Sequence, residues 1–239
     1  MEKLNGLNLD ELVRRNGPLS PSRTIYLLMQ ICDGLAEAHS AGMIHRDLKP
    51  ANIFAAKVGG KYDVAKVLDF GIVKVLNDEE ETSRTATSSG FAHSKVAARN
   101  RQMLTIEGDF AGTPAFASPE QVHGKVDLDH RSDLYSLGMV AYYLLTARTA
   151  FGQDLISVAA AHTYESITPP SKFRPVPRDL ESVVLCCLEK SPADRYPDAD
   201  SLREALSALD IGNSWNSALA EDWWMTNERL NYQAMIATS

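Results

Sequence analysis

Two short polar segments contain residue types that could carry out chemistry on phosphate groups. The first reads HRDLKPAN and holds Asp47, Lys49 and Asn52; the second reads DFG and begins with Asp69. Carboxylate and amide oxygens are hard ligands that divalent cations prefer, and an ammonium group beside them can neutralise a phosphoryl group. These residue types therefore meet the needs of phosphoryl transfer, which depends on positioning and charge stabilisation.

Regular elements precede both segments and would place them in loops. Apolar residues at spacings of three and four predict a helix over 24–41, directly before HRDLKPAN. Two short β-type runs, 53–55 and 64–68, are separated by the turn signal Gly59-Gly60 and predict a small hairpin that leads into DFG.

The second half of the chain is predicted to be mainly helical. Residues 77–109 are poor in large apolar side chains, which predicts a long loop. Helical patterns follow near 133–146, 154–162, 178–190 and 198–209, with proline-rich breaks between them. We therefore expect a mainly α fold with a small β element.

The composition changes after residue 209. All three tryptophans, Trp215, Trp223 and Trp224, lie in the last 25 residues. We expect residues 210–239 to form a tail that packs as a separate element against the preceding domain, with binding of a partner as the alternative.

Composition and charge limit the classes of function. The 239 residues carry a net charge of −7, which disfavours binding to nucleic acids or to anionic membrane surfaces. No apolar run is long enough to span a bilayer, and no signal peptide is recognisable. Cys32, Cys186 and Cys187 form no CxxC pair and are interpreted as reduced core thiols, so we expect a cytoplasmic protein.

Four motifs in order resemble those of the eukaryotic-like, bacterial-type Ser/Thr protein kinases. They are HRDLKPAN, DFG, GTPAFASPE at 112–120 and SDLYSLG at 132–138. The resemblance covers residues 1–209 and implies the large C-terminal lobe of a kinase, a mainly α part of an α+β fold. It also implies transfer of the γ-phosphate of ATP, with Mg²⁺, to a Ser or Thr hydroxyl of a protein substrate.

The resemblance assigns a role to each polar residue of the motifs. Asp47 is the catalytic base that orients the substrate hydroxyl, and Lys49 steadies the travelling phosphoryl group. Asn52 and Asp69 hold Mg²⁺. Lys49 together with Thr113 indicates a Ser or Thr acceptor rather than Tyr, and Thr113 is expected to hydrogen-bond to Asp47 and Lys49.

Other motif residues are expected to be structural. By the resemblance, His45 and Phe70 pack as a buried stack anchored by Asp133, although a histidine beside an acid could also titrate. Glu120 and Arg195 resemble a buried ion pair of the family, whose rupture would leave an uncompensated charge.

The activation segment is expected to span residues 69–120. Arg46, just before the base, pairs in related kinases with a phosphate on this segment, so regulation by phosphorylation is expected. The candidate acceptors lie between Thr82 and Thr105, and Thr105 is ranked first among them. A merely solvated insert is the alternative.

The 239 residues lack the nucleotide-phosphate elements of a complete kinase. No two glycines are separated by one residue, so GxGxxG does not occur. The run Val64-Ala65-Lys66 lies on the strand before DFG, and Lys66 is expected to be a surface residue there. The expectation is therefore an absent N-terminal lobe.

The opening residues resemble the hinge between the two kinase lobes. By the resemblance, Met1 takes the gatekeeper position, Glu2 and Leu4 offer backbone groups to adenine, and Phe54 forms the floor beneath it. A fragment that starts at the hinge would be inactive without its N-lobe and could self-associate through apolar surface. The alternatives are a non-catalytic interaction module and a small-molecule phosphotransferase.

Overall fold

The protein is described by a computed structural model. The backbone description covers residues 5–68, 114–125, 127–152, 155–212 and 214–237, and the side-chain description leaves out 155–156 and 228–237 as well. The predicted loop at 77–109 lies outside the described residues.

A small antiparallel sheet sits beside the helices. Its strands are β1 (Gly6–Asn8), β2 (Ile53–Val58) and β3 (Lys61–Val67), in the order β1-β2-β3. The predicted hairpin is confirmed as β2 and β3. The sequence analysis missed the third strand, β1, because three residues are too few to show an alternating pattern.

The hairpin turn explains why the two glycines are needed. Val58 pairs with Lys61 across a two-residue turn, and Gly59 and Gly60 have φ values of 55° and 80°. Positive φ at both central positions is typical of the tight turns that match the twist of a hairpin, and glycine adopts it without strain.

Eight α-helices make up most of the described chain. In chain order they are α1 (Leu9–Asn16), α2 (Pro21–Ser40), α3 (Pro119–Val122), α4 (Arg131–Thr146), α5 (Leu155–Tyr164), α6 (Arg178–Cys187), α7 (Ala199–Ser207) and α8 (Ser217–Ala237). The helices predicted near 24–41, 133–146, 154–162, 178–190 and 198–209 are confirmed, whereas α1, α3 and α8 were not predicted. No helix in these described ranges has the length and apolar character required to cross a membrane.

Side-chain caps define where several helices begin. The Asn8 side chain accepts a hydrogen bond from the Glu11 amide at 2.8 Å, and Ser20 accepts from the Arg23 amide at 3.2 Å. Such caps satisfy backbone donors that have no partner within the helix. The two caps set the residues at which α1 and α2 begin.

The core forms around α4, which is buried on nearly all sides. Leu137 and Leu144 of α4 lie in one apolar cluster with Leu28 of α2 and Leu202 of α7. Burial of such side chains is the main favourable term in folding. Of the cysteines, Cys32 and Cys187 are buried and Cys186 is half-buried, and none forms a disulfide, so the prediction of core thiols holds fully for two of the three.

Candidate active site

The loop after α2 brings three of the predicted polar residues together. The Lys49 Nζ atom donates to Asp47 Oδ2 at 2.7 Å. The Asn52 amide nitrogen donates to the same oxygen at 3.0 Å and to the Asp47 carbonyl at 2.9 Å. The carboxylate is thus held from two sides by residues of its own loop.

The exposure of these side chains suits contact with a substrate. The Asp47 side chain is 63% exposed, whereas the Lys49 side chain is 20% exposed. A carboxylate that is fixed by neighbours and still open to solvent can reach a hydroxyl group from outside.

Asp133 holds the backbone of the loop from beneath. It is fully buried in the first turn of α4 and accepts from the amides of His45 and Arg46 at 2.8 and 2.9 Å. The His39 side chain donates to the same carboxylate at 2.9 Å. The predicted anchoring role of Asp133 therefore has a structural counterpart, and His39 is a further contact that the sequence analysis missed.

Arg46 adopts an unusual backbone conformation just before Asp47. Its φ is 68°, in the left-handed region that residues with side chains rarely occupy. Asp133 binds its amide, and the Gln121 side chain donates to its carbonyl oxygen at 2.5 Å. Both polar groups of this strained residue are satisfied, which is how such conformations persist at functional sites.

Gln121 is also a helix cap, and this role could have been read from the sequence. The Ser118 hydroxyl accepts from the Gln121 amide, while the Gln121 side-chain oxygen accepts from the Ser118 amide at 2.9 Å. This reciprocal arrangement is a capping box, signalled by Ser followed three residues later by Gln. Its contact with Arg46 depends on the tertiary structure.

The base of the hairpin is bonded to the same loop. The Leu68 amide donates to the Asn52 carbonyl at 2.9 Å, and the His45 Nε2 atom donates to the Leu68 carbonyl at 2.7 Å. The Asp47 amide donates to the other ring nitrogen of His45 at 3.3 Å. Leu68 directly precedes Asp69. The residue before the DFG motif is therefore held against the loop that contains Asp47.

Two predicted residues lie on the hairpin itself. Phe54 is half-buried on β2, at a register position opposite Asn8 of β1 and Lys66 of β3. Lys66 is exposed, as expected for a surface strand residue. The other residues proposed for the site, for the stack and for phosphorylation lie outside the described residues: Glu2, Leu4, Asp69, Phe70, Thr105 and Thr113.

The predicted Glu120–Arg195 pair is present and buried. Two guanidinium nitrogens of Arg195 donate to the two carboxylate oxygens of Glu120 at 2.6 and 2.9 Å. Arg195 also donates to three backbone carbonyls, those of Arg131, Glu189 and Lys190. The pair therefore ties α3 to the loop before α7.

The donor atoms of the loop fit a hard divalent cation. The Asn52 amide nitrogen points to Asp47, which leaves its carbonyl oxygen as the group able to bind a metal ion, and the Asp47 carboxylate is adjacent. Magnesium prefers oxygen ligands of these two kinds. The metal site at Asn52 and Asp69 stays a prediction, because Asp69 lies outside the described residues.

Known proteins share this sequence and fold. The protein kinase domain family matches residues 1–207. The serine/threonine-protein kinase pkn3 of Myxococcus xanthus is 37% identical over 214 residues, which are 88% of this chain and 36% of pkn3. The serine/threonine-protein kinase PknB of Mycolicibacterium smegmatis is 36% identical over 216 residues, covering 90% of this chain and 30% of PknB. The chain thus spans about a third of the length of these relatives.

A solved structure supports the assignment of the fold. A crystal structure of Rad53 in complex with AMP-PNP matches with a TM-score of 0.59 and 21% sequence identity, over 86% of this chain and 45% of that one. At this level of identity the likeness concerns the fold. The family match over residues 1–207 and the sequence matches show that the chain belongs to the protein kinase family, as a bacterial-type serine/threonine member.

Proposed function

We propose that the chain supplies the acceptor and metal-binding half of a kinase that transfers the γ-phosphoryl group of ATP to a Ser or Thr hydroxyl of a protein. The observation that carries this proposal is the Asp47 carboxylate, exposed to solvent and fixed by Lys49 at 2.7 Å and Asn52 at 3.0 Å. A fixed, open carboxylate beside an ammonium group suits a hydroxyl acceptor next to a phosphate.

Each residue of the loop has a defined task in this proposal. Asp47 orients the substrate hydroxyl and accepts its proton as the oxygen bonds to the γ-phosphorus and the bond to the ADP oxygen breaks. Lys49 stabilises charge on the transferred group, and Asn52 keeps the Asp47 carboxylate in place. Thr113 is proposed to support Asp47 and Lys49 from the substrate side and, with Lys49, to favour Ser and Thr acceptors.

ATP and Mg²⁺ are the proposed nucleotide and metal. The Asn52 carbonyl oxygen and Asp69 would hold Mg²⁺, which would neutralise phosphate charge when bound. Glu2, Leu4 and Phe54 are proposed to contact adenine. Phe54 lies on β2, next to β1, opposite Asn8, the last residue of β1.

The proposed organisation has two parts. Residues 1–209 would form the catalytic portion from the hinge onward, with an activation segment at 69–120, and residues 210–239 would form the tail. Because the 239 residues contain no GxGxxG pattern, we propose that they are nearly silent without a small lobe. The free thiols support a cytoplasmic location. Self-association through the sheet edge is also proposed.

The test is an activity assay with a matched pair of variants. A protein that carries the small lobe of a bacterial relative ahead of residue 1 is incubated with ATP, Mg²⁺ and a Ser/Thr peptide. Asp47→Asn should reduce turnover by several orders of magnitude and leave the melting temperature unchanged, because the side chain is exposed and its shape is kept. Asp222→Asn, at another exposed position, should leave both quantities unchanged.

Near-normal turnover of Asp47→Asn would overturn the assignment of the base. Absence of turnover in the parent protein, together with binding of a protein through the large lobe, would favour the non-catalytic interaction module. Transfer to small alcohols but not to the peptide would favour the small-molecule phosphotransferase.

A further inference from the structure

A second buried charge cluster lies away from the candidate active site, between α2 and β3. Arg23 is 2% exposed and Asp63 is 0% exposed. The Arg23 Nε and Nη2 atoms donate to the two oxygens of Asp63, each at 2.8 Å. A buried pair of this kind is costly to desolvate and needs further hydrogen bonds to complete it.

The tail completes this pair with two indole groups. Trp215 Nε1 donates to Asp63 Oδ2 at 3.0 Å, and Trp224 Nε1 donates to Asp63 Oδ1 at 2.7 Å. Each oxygen of the carboxylate therefore accepts one hydrogen bond from Arg23 and one from the tail. The indole N–H can only donate and an ionised carboxylate can only accept, so the two groups are compatible hydrogen-bond partners.

The indole rings also contact the guanidinium group. The Arg23 Cζ atom lies 3.8 Å from the centre of the Trp223 ring and 4.9 Å from that of Trp215. Cation–π contacts of this type are favourable when the cation is desolvated. All three tryptophans of the chain thus bind one Arg–Asp pair, which distinguishes this arrangement from general apolar packing.

The same strand connects the pair to the candidate active site. Asp63 lies on β3 with a φ of 54°, and its carbonyl accepts from the Gln30 side chain of α2 at 3.0 Å. The Gln30 side-chain oxygen accepts from the Ala65 amide at 3.2 Å. Beyond the end of β3, Leu68 is bonded to Asn52 and His45.

We propose that Arg23 and Asp63 form an indole-binding anchor through which the tail segment 214–227 fixes β3. The tail is then a positioning element for the end of the hairpin that adjoins Asn52 and leads into Asp69. The effect on phosphoryl transfer rests on the proposed function, whereas the anchor and its effect on the hairpin do not.

Intrinsic fluorescence of the full chain tests the anchor directly, because every tryptophan lies in the tail. Asp63→Asn keeps the shape but replaces one acceptor oxygen by a donor and leaves the Arg23 charge unpaired. We expect a red shift of the emission and stronger quenching by acrylamide. The control Asp33→Asn, in the exposed ion pair with Arg203, should change neither. Unchanged emission in Asp63→Asn would overturn the anchor.

A second variant tests the anchor even if Asp63→Asn fails to fold. The double variant Trp215→Phe/Trp224→Phe keeps the Arg23–Asp63 pair and an aromatic ring at both positions. It removes the two N–H donors together with part of each ring's area. We expect acrylamide to quench the emission of the remaining Trp223 more strongly than it quenches the combined emission of Trp223 and Trp224 in a Trp215→Phe single variant. Equal quenching in the two variants would count against the anchor.

Amide hydrogen exchange tests the positioning role. In the double variant we expect roughly tenfold faster exchange in β3 and at Leu68, as for the loss of two hydrogen bonds, with unchanged exchange in α4. Unchanged exchange at Leu68, or an equal increase throughout the chain, would overturn the positioning role. These readouts are independent of catalysis, so failure of the Asp47 assay would leave them valid.

Discussion

At the scale of single residues, buried charged side chains hold the backbone around the candidate active site. Asp133 binds two amides of the loop before Asp47, and Arg195 binds Glu120 together with three carbonyls. In the folded protein these charged groups hydrogen-bond to fixed protein groups instead of to water. Removing one member of such a set leaves the rest unsatisfied, which costs more than the intact contact contributes.

Glu120→Gln tests this argument at one residue. The amide can still accept from Arg195, but the guanidinium charge loses its buried counter-charge. We expect the free energy of unfolding to fall by about 3 kcal/mol, measured by denaturant titration. Glu189→Gln, at an exposed position, should change it by less than about 0.5 kcal/mol. An equal effect of the two variants would contradict the assignment of the ion pair.

At the scale of elements, α4 packs closely against α6 and the residue that follows it. A Cβ atom added at Gly138 would lie 2.7 Å from the Cys187 Cβ and 2.9 Å from the Leu188 Cδ2. Glycine is therefore needed at this position because α4 and α6 lie close together, and not because of an unusual backbone angle. Gly34, within α2, has no described atom within 4 Å of such a Cβ.

These two glycines form a matched pair of substitutions. Gly138→Ala should lower the free energy of unfolding by about 1–3 kcal/mol, because the core must shift to admit a methyl group. Gly34→Ala should raise it by roughly 0.5–1 kcal/mol, because alanine loses less conformational freedom in a helix. Denaturant titration of both variants checks the opposite signs, and the same sign for both would contradict the packing.

At the scale of the whole molecule, a buried histidine makes stability depend on pH. His162 of α5 is fully buried, and its Nδ1 atom shares a hydrogen bond of 2.8 Å with the Tyr135 hydroxyl. Burial, with a smaller contribution from the Lys190 charge, lowers the pKa of His162 from 6.5 to about 4. The folded protein therefore keeps this ring neutral where the unfolded chain would protonate it.

The sign of the pH effect follows from this lowered pKa. Below pH 6.5 the unfolded state binds a proton that the folded state does not, so stability is lost as pH falls from 6.5 to about 4. The loss amounts to roughly 3 kcal/mol across that window. His162→Gln should remove this part of the pH dependence in thermal unfolding. An unchanged pH dependence in the variant would show that other groups cause it.

The sequence by itself determined the local structure and the residue types of the site. Apolar periodicity predicted five helices, and Gly59-Gly60 predicted the hairpin, because both signals act over a few neighbouring residues. The motif HRDLKPAN likewise identified Asp47, Lys49 and Asn52, which lie within one short loop and contact one another. Proximity in sequence made these contacts predictable.

The family motifs linked some distant residues, such as Glu120 and Arg195. Only the tertiary structure decided the contacts between distant segments that no motif links. Asp63 lies 40 residues from Arg23 and 161 from Trp224, and no periodic pattern links these positions. The same holds for Gln121 and Arg46, 75 residues apart, and for the pairing of β1 with β2. A buried polar group needs a partner, but the choice among distant partners depends on how the helices and the sheet pack.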